Sequence, residues 1–320
     1  MASTHNILLL GAGELGTAFL TQLSSLSATR ITLGVRFPDK YSHLSSQNVT
    51  LKPLDLGAPS SELSEAFSHY DIIISATGFG QSPSTVLKLA EEILTAGKLR
   101  KARIERDGKT STSDRLWFFP WQWGVDYDVI GDADGLMPLF GAQRSVRELL
   151  RSKAADHGVK WTVVSTGIFM SFLFEPFWGV VDRSREAGDG EIKVTALGDW
   201  EHGVSVTDVK DIARVLARII QDEPADANDG VVYVAGDTVK YRELAEIVER
   251  ASGMQVHREV WTKEVLKREL EADPDDGIKR YRVVFAGDGV SWPRNRTMNA
   301  RLGINVVGVE EYARGLLGGK

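Results

Sequence analysis

The 320-residue chain contains no cysteine, which removes disulfides, thiolate metal ligands and cysteine nucleophiles together. Redox chemistry would therefore need a bound cofactor. No apolar run approaches the roughly 18 residues of a membrane span, and the opening MASTHN lacks the basic region of a signal peptide. The chain reads as cytosolic, with no membrane partner. Positive charge is also scarce: 38 Lys and Arg against 44 Asp and Glu leave a formal charge of -6, so nucleic-acid phosphates meet no general attraction. Six histidines occur without HExxH or another ligand-rich spacing, and no metal site is expected. There is no GxSxG turn, no Walker lysine motif, no heptad run and no internal repeat, which removes the hydrolase and kinase classes.

What is present is an ordinary globular composition, 42% hydrophobic and 26% charged, in a chain long enough for one large or two joined domains. Its organising stretch is NILLLGAGELG, Asn6 to Gly16. Ile7 to Leu10 read as a buried strand, Gly11-x-Gly13-x-x-Gly16 as a tight turn, and Thr17 onwards as a helix. A dinucleotide needs that order: the first glycine makes the turn, the second admits the pyrophosphate to the backbone, and the third lets helix pack on strand. Gly11, Gly13, Glu14, Leu15 and Gly16 are thus candidate cofactor contacts, with helix N–H groups facing the phosphates.

A second strand, Arg30 to Val35, ends at Arg36. An Asp or Glu at this distance from the glycines would bind a ribose 2′-hydroxyl; an arginine suits a 2′-phosphate, so NADP(H) is the expected cofactor, with Lys40 close behind. Further strands are read at Asn48 to Leu51, Asp71 to Ser75, Leu116 to Phe119 and Lys160 to Thr166, and helices at Ser60 to His69, 83 to 97 and Met137 to His157. Thr77 and Gly78, small residues at a strand's carboxyl end, let a dinucleotide lie against the backbone. The charge-mixed stretch from Lys98 to Arg115 reads as a surface loop or a short hairpin around Asp107-Gly108.

This alternation predicts an α/β fold: a doubly wound parallel-sheet domain over residues 1–166, with a smaller α/β substrate domain from 167–320 packed on it, some of whose segments return to the first. In the second half, Glu191 to Leu197 and Gly230 to Ala235 read as strands and Thr207 to Ile220, Tyr241 to Ser252 and Thr262 to Leu270 as helices. Trp121 and Trp123 after a strand end, with Phe169 and Phe172 in GIFMSFLFEPFW, are candidates to line a pocket for a bulky aromatic or heterocyclic small molecule.

GAGELG, the strand ending at Arg36, FFPWQWGVDYD, PLFGAQRSVRELL and KWTVVSTGIF together resemble the NmrA-like branch of atypical short-chain dehydrogenases, which includes isoflavone reductases and many fungal proteins. The resemblance implies a Rossmann domain, NADP(H), and reduction of a carbonyl, an imine or iminium, or an activated alkene in secondary metabolism. It also exposes a departure. Plant reductases of this type carry F-E-x-K-x-x-V-R, whose lysine contacts the cofactor and is assigned a catalytic role; Phe140 to Arg147 align with it, and Gln143 replaces the lysine. An amide cannot exchange a proton near neutral pH, though it can still hydrogen-bond a ribose or carbonyl. Tyr-x-x-x-Lys is absent as well.

Gln143 therefore stands as a candidate cofactor and catalytic residue, with Tyr127 and His202 as proton carriers. An iminium substrate would need no strong acid, and hydride transfer could then accompany ring formation such as a cycloaddition. The alternative is an NADP-binding redox sensor that acts through a protein partner without turnover. A monomer or homodimer is expected.

Overall fold

The computed structural model describes residues 5–78, 82–107, 115–183 and 192–318. The chain forms two compact units: Met1–Gln122, Pro138–Val164 and Ala213–Val232 make the first, and Trp123–Met137, Ser165–Ile212 and Tyr233–Lys320 the second. The sequence reading draws a boundary near 166 with later segments returning; by compactness, 213–232 lie in the first unit and 123–137 in the second.

Strand β1 (His5–Leu10) leads into α1 (Glu14–Leu23), β2 (Thr29–Val35), a 3-10 segment at Pro38–Leu44, and β3 (Val49–Pro53). Next come α2 (Ser60–Phe67), β4 (Ile72–Ser75), α3 (Pro83–Asp107), β5 (Leu116–Phe119), the short α4 (Tyr127–Ile130), α5 (Pro138–Lys153) and β6 (Val159–Ser165). The chain continues through β7 (Ile168–Phe169), β8 (Val181–Asp182), β9 (Ile192–Leu197), β10 (Gly203–Thr207), α6 (Val209–Asp222) and β11 (Gly230–Tyr233). It ends with β12 (Asp237–Lys240), α7 (Tyr241–Ser252), β13 (Val256–Trp261), α8 (Lys263–Ala272), α9 (Gly277–Phe285), α10 (Met298–Arg301) and α11 (Val309–Leu317).

Among the described residues, seven strands form one sheet in the order β11-β6-β5-β4-β1-β2-β3. Parallel ladders join β3 to β2, β2 to β1, β1 to β4, β4 to β5 and β5 to β6. The chain lays strands to one side of β1 and then crosses to the other, so the strand order reverses between β1 and β4. In open sheets of this kind ligands bind outside the carboxyl ends at that point. Period-two alternation explains the layers: Leu8 and Leu10 join a core with Leu63 and Phe67 of α2, Ile93 of α3 and Val146 of α5. Ile7 and Leu9 face the opposite side and are fully buried, as are Phe19 and Leu23 of α1.

The structure corrects two expectations in this unit. The polar stretch after residue 97 is no loop as far as Asp107: α3 continues to that residue, while the rest of the expected hairpin, 108–114, lies outside the described residues. Here charged side chains are the packing. Arg100 pairs with Asp71 across a buried contact, and Arg103 reaches Glu65 and Ser68. α5 is shorter than expected and stops at Lys153.

The second unit carries two three-stranded sheets, β12-β10-β7 and β13-β9-β8. Strand β10 runs antiparallel to β12 and parallel to β7, and β9 parallel to β13 and antiparallel to β8. The strands β10, β12 and β13 and the helices α9 and α11 were not read from the sequence. Among the described residues no helix is long and apolar enough to cross a membrane.

Candidate functional site at the carboxyl edge of the parallel sheet

The register sets Leu10 opposite both Gly34 and Ser75, so the segments leaving β1, β2 and β4 emerge side by side. Gly11 has φ +97°, and a Cβ there would sit 2.6 Å from the Ala76 carbonyl oxygen. A Cβ on Gly16 would sit 2.2 Å from the Gly11 oxygen. These two glycines are needed for chain packing. Gly13 differs: nothing lies within 4 Å of where its Cβ would be, and the residue is exposed at the start of α1. No side chain caps α1, so its first N–H groups have no partner inside the helix and carry the positive end of the helix dipole. Glu14 is exposed beside them and Leu15 is buried. The loop is therefore a backbone cradle with its centre left open.

Beside it, Arg36 is exposed at the end of β2 and has no hydrogen-bond or ion-pair partner among the described residues. Lys40, in the following 3-10 segment, holds its ammonium 5.2 Å from the centre of the Phe37 ring. Thr77 and Gly78 follow β4; the Thr77 hydroxyl lies 3.2 Å from that of Ser75, and Gly78 has φ +83° with no atom within 4 Å of a Cβ position.

Further along the edge, Ser75, Thr77, Thr85, Trp121, Gln122 and Gln143 line a recess with room for about 10 Å³, close to the space of one water molecule. It can take one polar group and no ring. Gln143 is 2% exposed. Its Nε2 donates to the Trp121 carbonyl at 2.9 Å, and Gln122 Nε2 donates to the Gln143 carbonyl at 2.8 Å. Arg147, one turn along α5, donates through Nε to Gln122 Oε1 at 2.8 Å. Gln143 Oε1 is left buried without a hydrogen-bond partner among the described residues. A buried acceptor of this kind costs free energy until a donor reaches it.

The remaining sequence candidates lie in the second unit. Tyr127 is buried, and its hydroxyl occupies the space a Cβ on Gly124 would need, at 2.7 Å. His202 Nε2 donates to the Phe285 carbonyl at 2.9 Å, leaving Nδ1 as the nitrogen for any proton exchange. Trp123 is 7% exposed. Phe169 and Phe172 meet edge to face at 5.7 Å, and Phe172 continues to Phe177 at 5.4 Å, an aromatic cluster whose outer member is exposed. Sequence reasoning missed Gln122, whose signal was its place between the two tryptophans, and Phe37, the most exposed large apolar side chain among the described residues at 60%.

An open parallel sheet with a glycine cradle at its switch point defines the class: a Rossmann-type α/β protein. The profile of the NmrA-like family matches residues 3–281. An NmrA-like family domain-containing oxidoreductase of Gibberella moniliformis is 37% identical over 97% of this chain and 98% of its own length. Among solved structures, one described as AtPrR2 with NADP+ and (+)pinoresinol superposes with a TM-score of 0.72 at 15% identity, covering 98% of this chain and 99% of that one. An NADPH-dependent quinone oxidoreductase of Escherichia coli gives 0.71 at 19% identity, with 97% and 99% covered. The chain belongs to the NmrA-like family.

Proposed function

We infer that the protein is an NADP(H)-dependent oxidoreductase acting on a bulky aromatic or heterocyclic small molecule in secondary metabolism. The observation that carries the cofactor assignment is the unspent binding capacity of one edge: an open backbone cradle at Gly13, an uncapped helix N-terminus and an unpartnered Arg36. Gly11 to Gly16 would hold the pyrophosphate, Arg36 and Lys40 the 2′-phosphate, and Thr77 and Gly78 the body of the dinucleotide. Gln143 Oε1 would accept from a ribose hydroxyl or amide N–H of the ligand. Relatives of the fold were solved with NADP+ or NADPH, which supports the same reading.

When bound, NADPH supplies a hydride. The chain's own contribution is to bind, orient and decide where a proton comes from. Gln143 cannot supply one, because its amide does not titrate. A proton, where the substrate needs one, is assigned to Tyr127 or His202. A cationic imine needs none, which reconciles hydride transfer with the missing lysine and leaves room for ring formation as the product-setting step. The aromatic cluster of Phe169 and Phe172 in the second unit suits a bulky apolar substrate.

The same glutamine favours a second reading, an NADP-binding sensor without turnover. Incubating purified protein with NADPH and panels of aromatic ketones, quinones and cyclic imines separates them. Substrate-dependent NADPH oxidation is the expected result. Tight binding with no oxidation across the panels, together with retention of a protein partner only in one redox state of the cofactor, would favour the sensor.

A further inference from the structure

Phe37 is an unusual residue to leave in water. It directly follows Arg36 at the carboxyl end of β2 and is 60% exposed. Its backbone leads into the 3-10 segment that begins at Pro38, and its carbonyl accepts from Lys40 N–H at 3.2 Å, which folds Lys40 back so that the ammonium stands 5.2 Å from the ring centre. Arg36 and Lys40 have no carboxylate partner among the described residues. A flat apolar ring is thus flanked, within five consecutive residues Arg36 to Lys40, by two cations, and neither pairs with the intervening Asp39 or with another carboxylate among the described residues.

We propose that Phe37 is the shelf on which the adenine of a 2′-phosphorylated dinucleotide stacks, with Arg36 and Lys40 turned to the phosphate. The inference rests on the NADP(H) reading and adds a division of labour to it. A purine offers a broad π-face that stacks on an aromatic side chain whatever its substituents. A 2′-phosphate beside that purine offers the anion the two cations lack. Stacking is the same for NADPH and NADH, so Phe37 sets affinity for both, whereas the cations set the preference between them. Pro38 strengthens the case, because its fixed φ holds the turn in which the ring and Lys40 meet.

Calorimetric titration of wild type, F37A and F37Y with NADPH, NADH and adenosine 2′,5′-bisphosphate tests this, with the mass of each protein in solution measured alongside. F37A should weaken all three ligands by a common factor of about tenfold, leave the NADPH-to-NADH ratio unchanged, and keep the solution mass and melting temperature of the wild type. F37Y should bind like the wild type. If the wild type binds but F37A binds all three equally well, the shelf is wrong and the cofactor reading stands. If F37A changes only the oligomeric mass, the ring is an interface between copies and the shelf is overturned. If the wild type binds none of the three, both readings fall.

Discussion

The two edges of the first unit's sheet differ in a way that volume alone misrepresents. At the amino edge, an open groove of about 830 Å³ runs past Asn6, Thr29, Arg30, Asn48, His69 and Tyr70. At the carboxyl edge the recess has room for about 10 Å³. Yet polar groups at the large groove are mostly satisfied by the protein. Asn48 donates to the Ser24 carbonyl at 2.9 Å, Thr29 to the Leu26 carbonyl at 3.0 Å, and the His69 ring lies between Arg103 and Glu65. Asp71, just below, accepts from Asn6 N–H at 2.8 Å and pairs with Arg100. At the carboxyl edge the position is reversed: the first N–H groups of α1, Arg36 and Gln143 Oε1 lack partners among the described residues. A convergence of an open backbone cradle, an unpaired cation and a buried acceptor is what a ligand can complete, and volume alone supplies none of these.

The largest effect that would break this contrast lies at the amino edge. Arg100→Ala leaves the buried Asp71 carboxylate without its ion-pair partner and should cost about 3–5 kcal/mol of stability. Denaturant unfolding measures it, and NADPH affinity of the folded fraction should not change. Next is the difference between two glycines of one loop. Gly16→Ala drives a Cβ to 2.2 Å from a backbone oxygen and should destabilise by about 1–3 kcal/mol. Gly13→Ala meets open space, so its melting temperature should stay near that of the wild type while NADPH binding drops. Equal melting temperatures for the two variants would remove the distinction between a packing glycine and a cradle glycine.

The smallest effect is a control in the second unit. Asp276 caps α9, accepting from Ile278 and Lys279 N–H groups, and the hydrogen bond from Lys279 N–H leads the causes that hold its carboxyl below the usual aspartate range. A depressed folded-state pKa stabilises above the unfolded value of about 4 and is lost as pH falls through the folded one. Asp276→Ala should therefore cost about 1 kcal/mol near neutrality, with the gap to wild type closing in acid and cofactor affinity unaffected.

The same contrast explains what could be read from residues in order. β1 to β6 and the glycine turn were legible because apolar runs and fixed glycine spacing are local signals. The last turns of α3 were not, because Arg100 and Arg103 owe their place to Asp71, Glu65 and Ser68, partners some thirty residues back; without those partners a charged run looks like a loop. In the second unit β7 has 2 residues and β12 has 4, too few for a period to declare itself. Gln143 could be seen to replace a lysine. That its Nε2 donates to Trp121 while its oxygen is left over depends on a fold that brings positions 22 residues apart together.

The claim that the carboxyl edge is built for a 2′-phosphorylated dinucleotide rests most heavily on Arg36. Equilibrium titration of wild type and Arg36→Ala with NADPH and NADH tests it directly. Wild type should prefer NADPH, and the variant should lose about 1.5–3 kcal/mol of that preference, the scale of a hydrogen bond to a charged group, with NADH binding little changed. An unchanged preference in the variant would contradict the account.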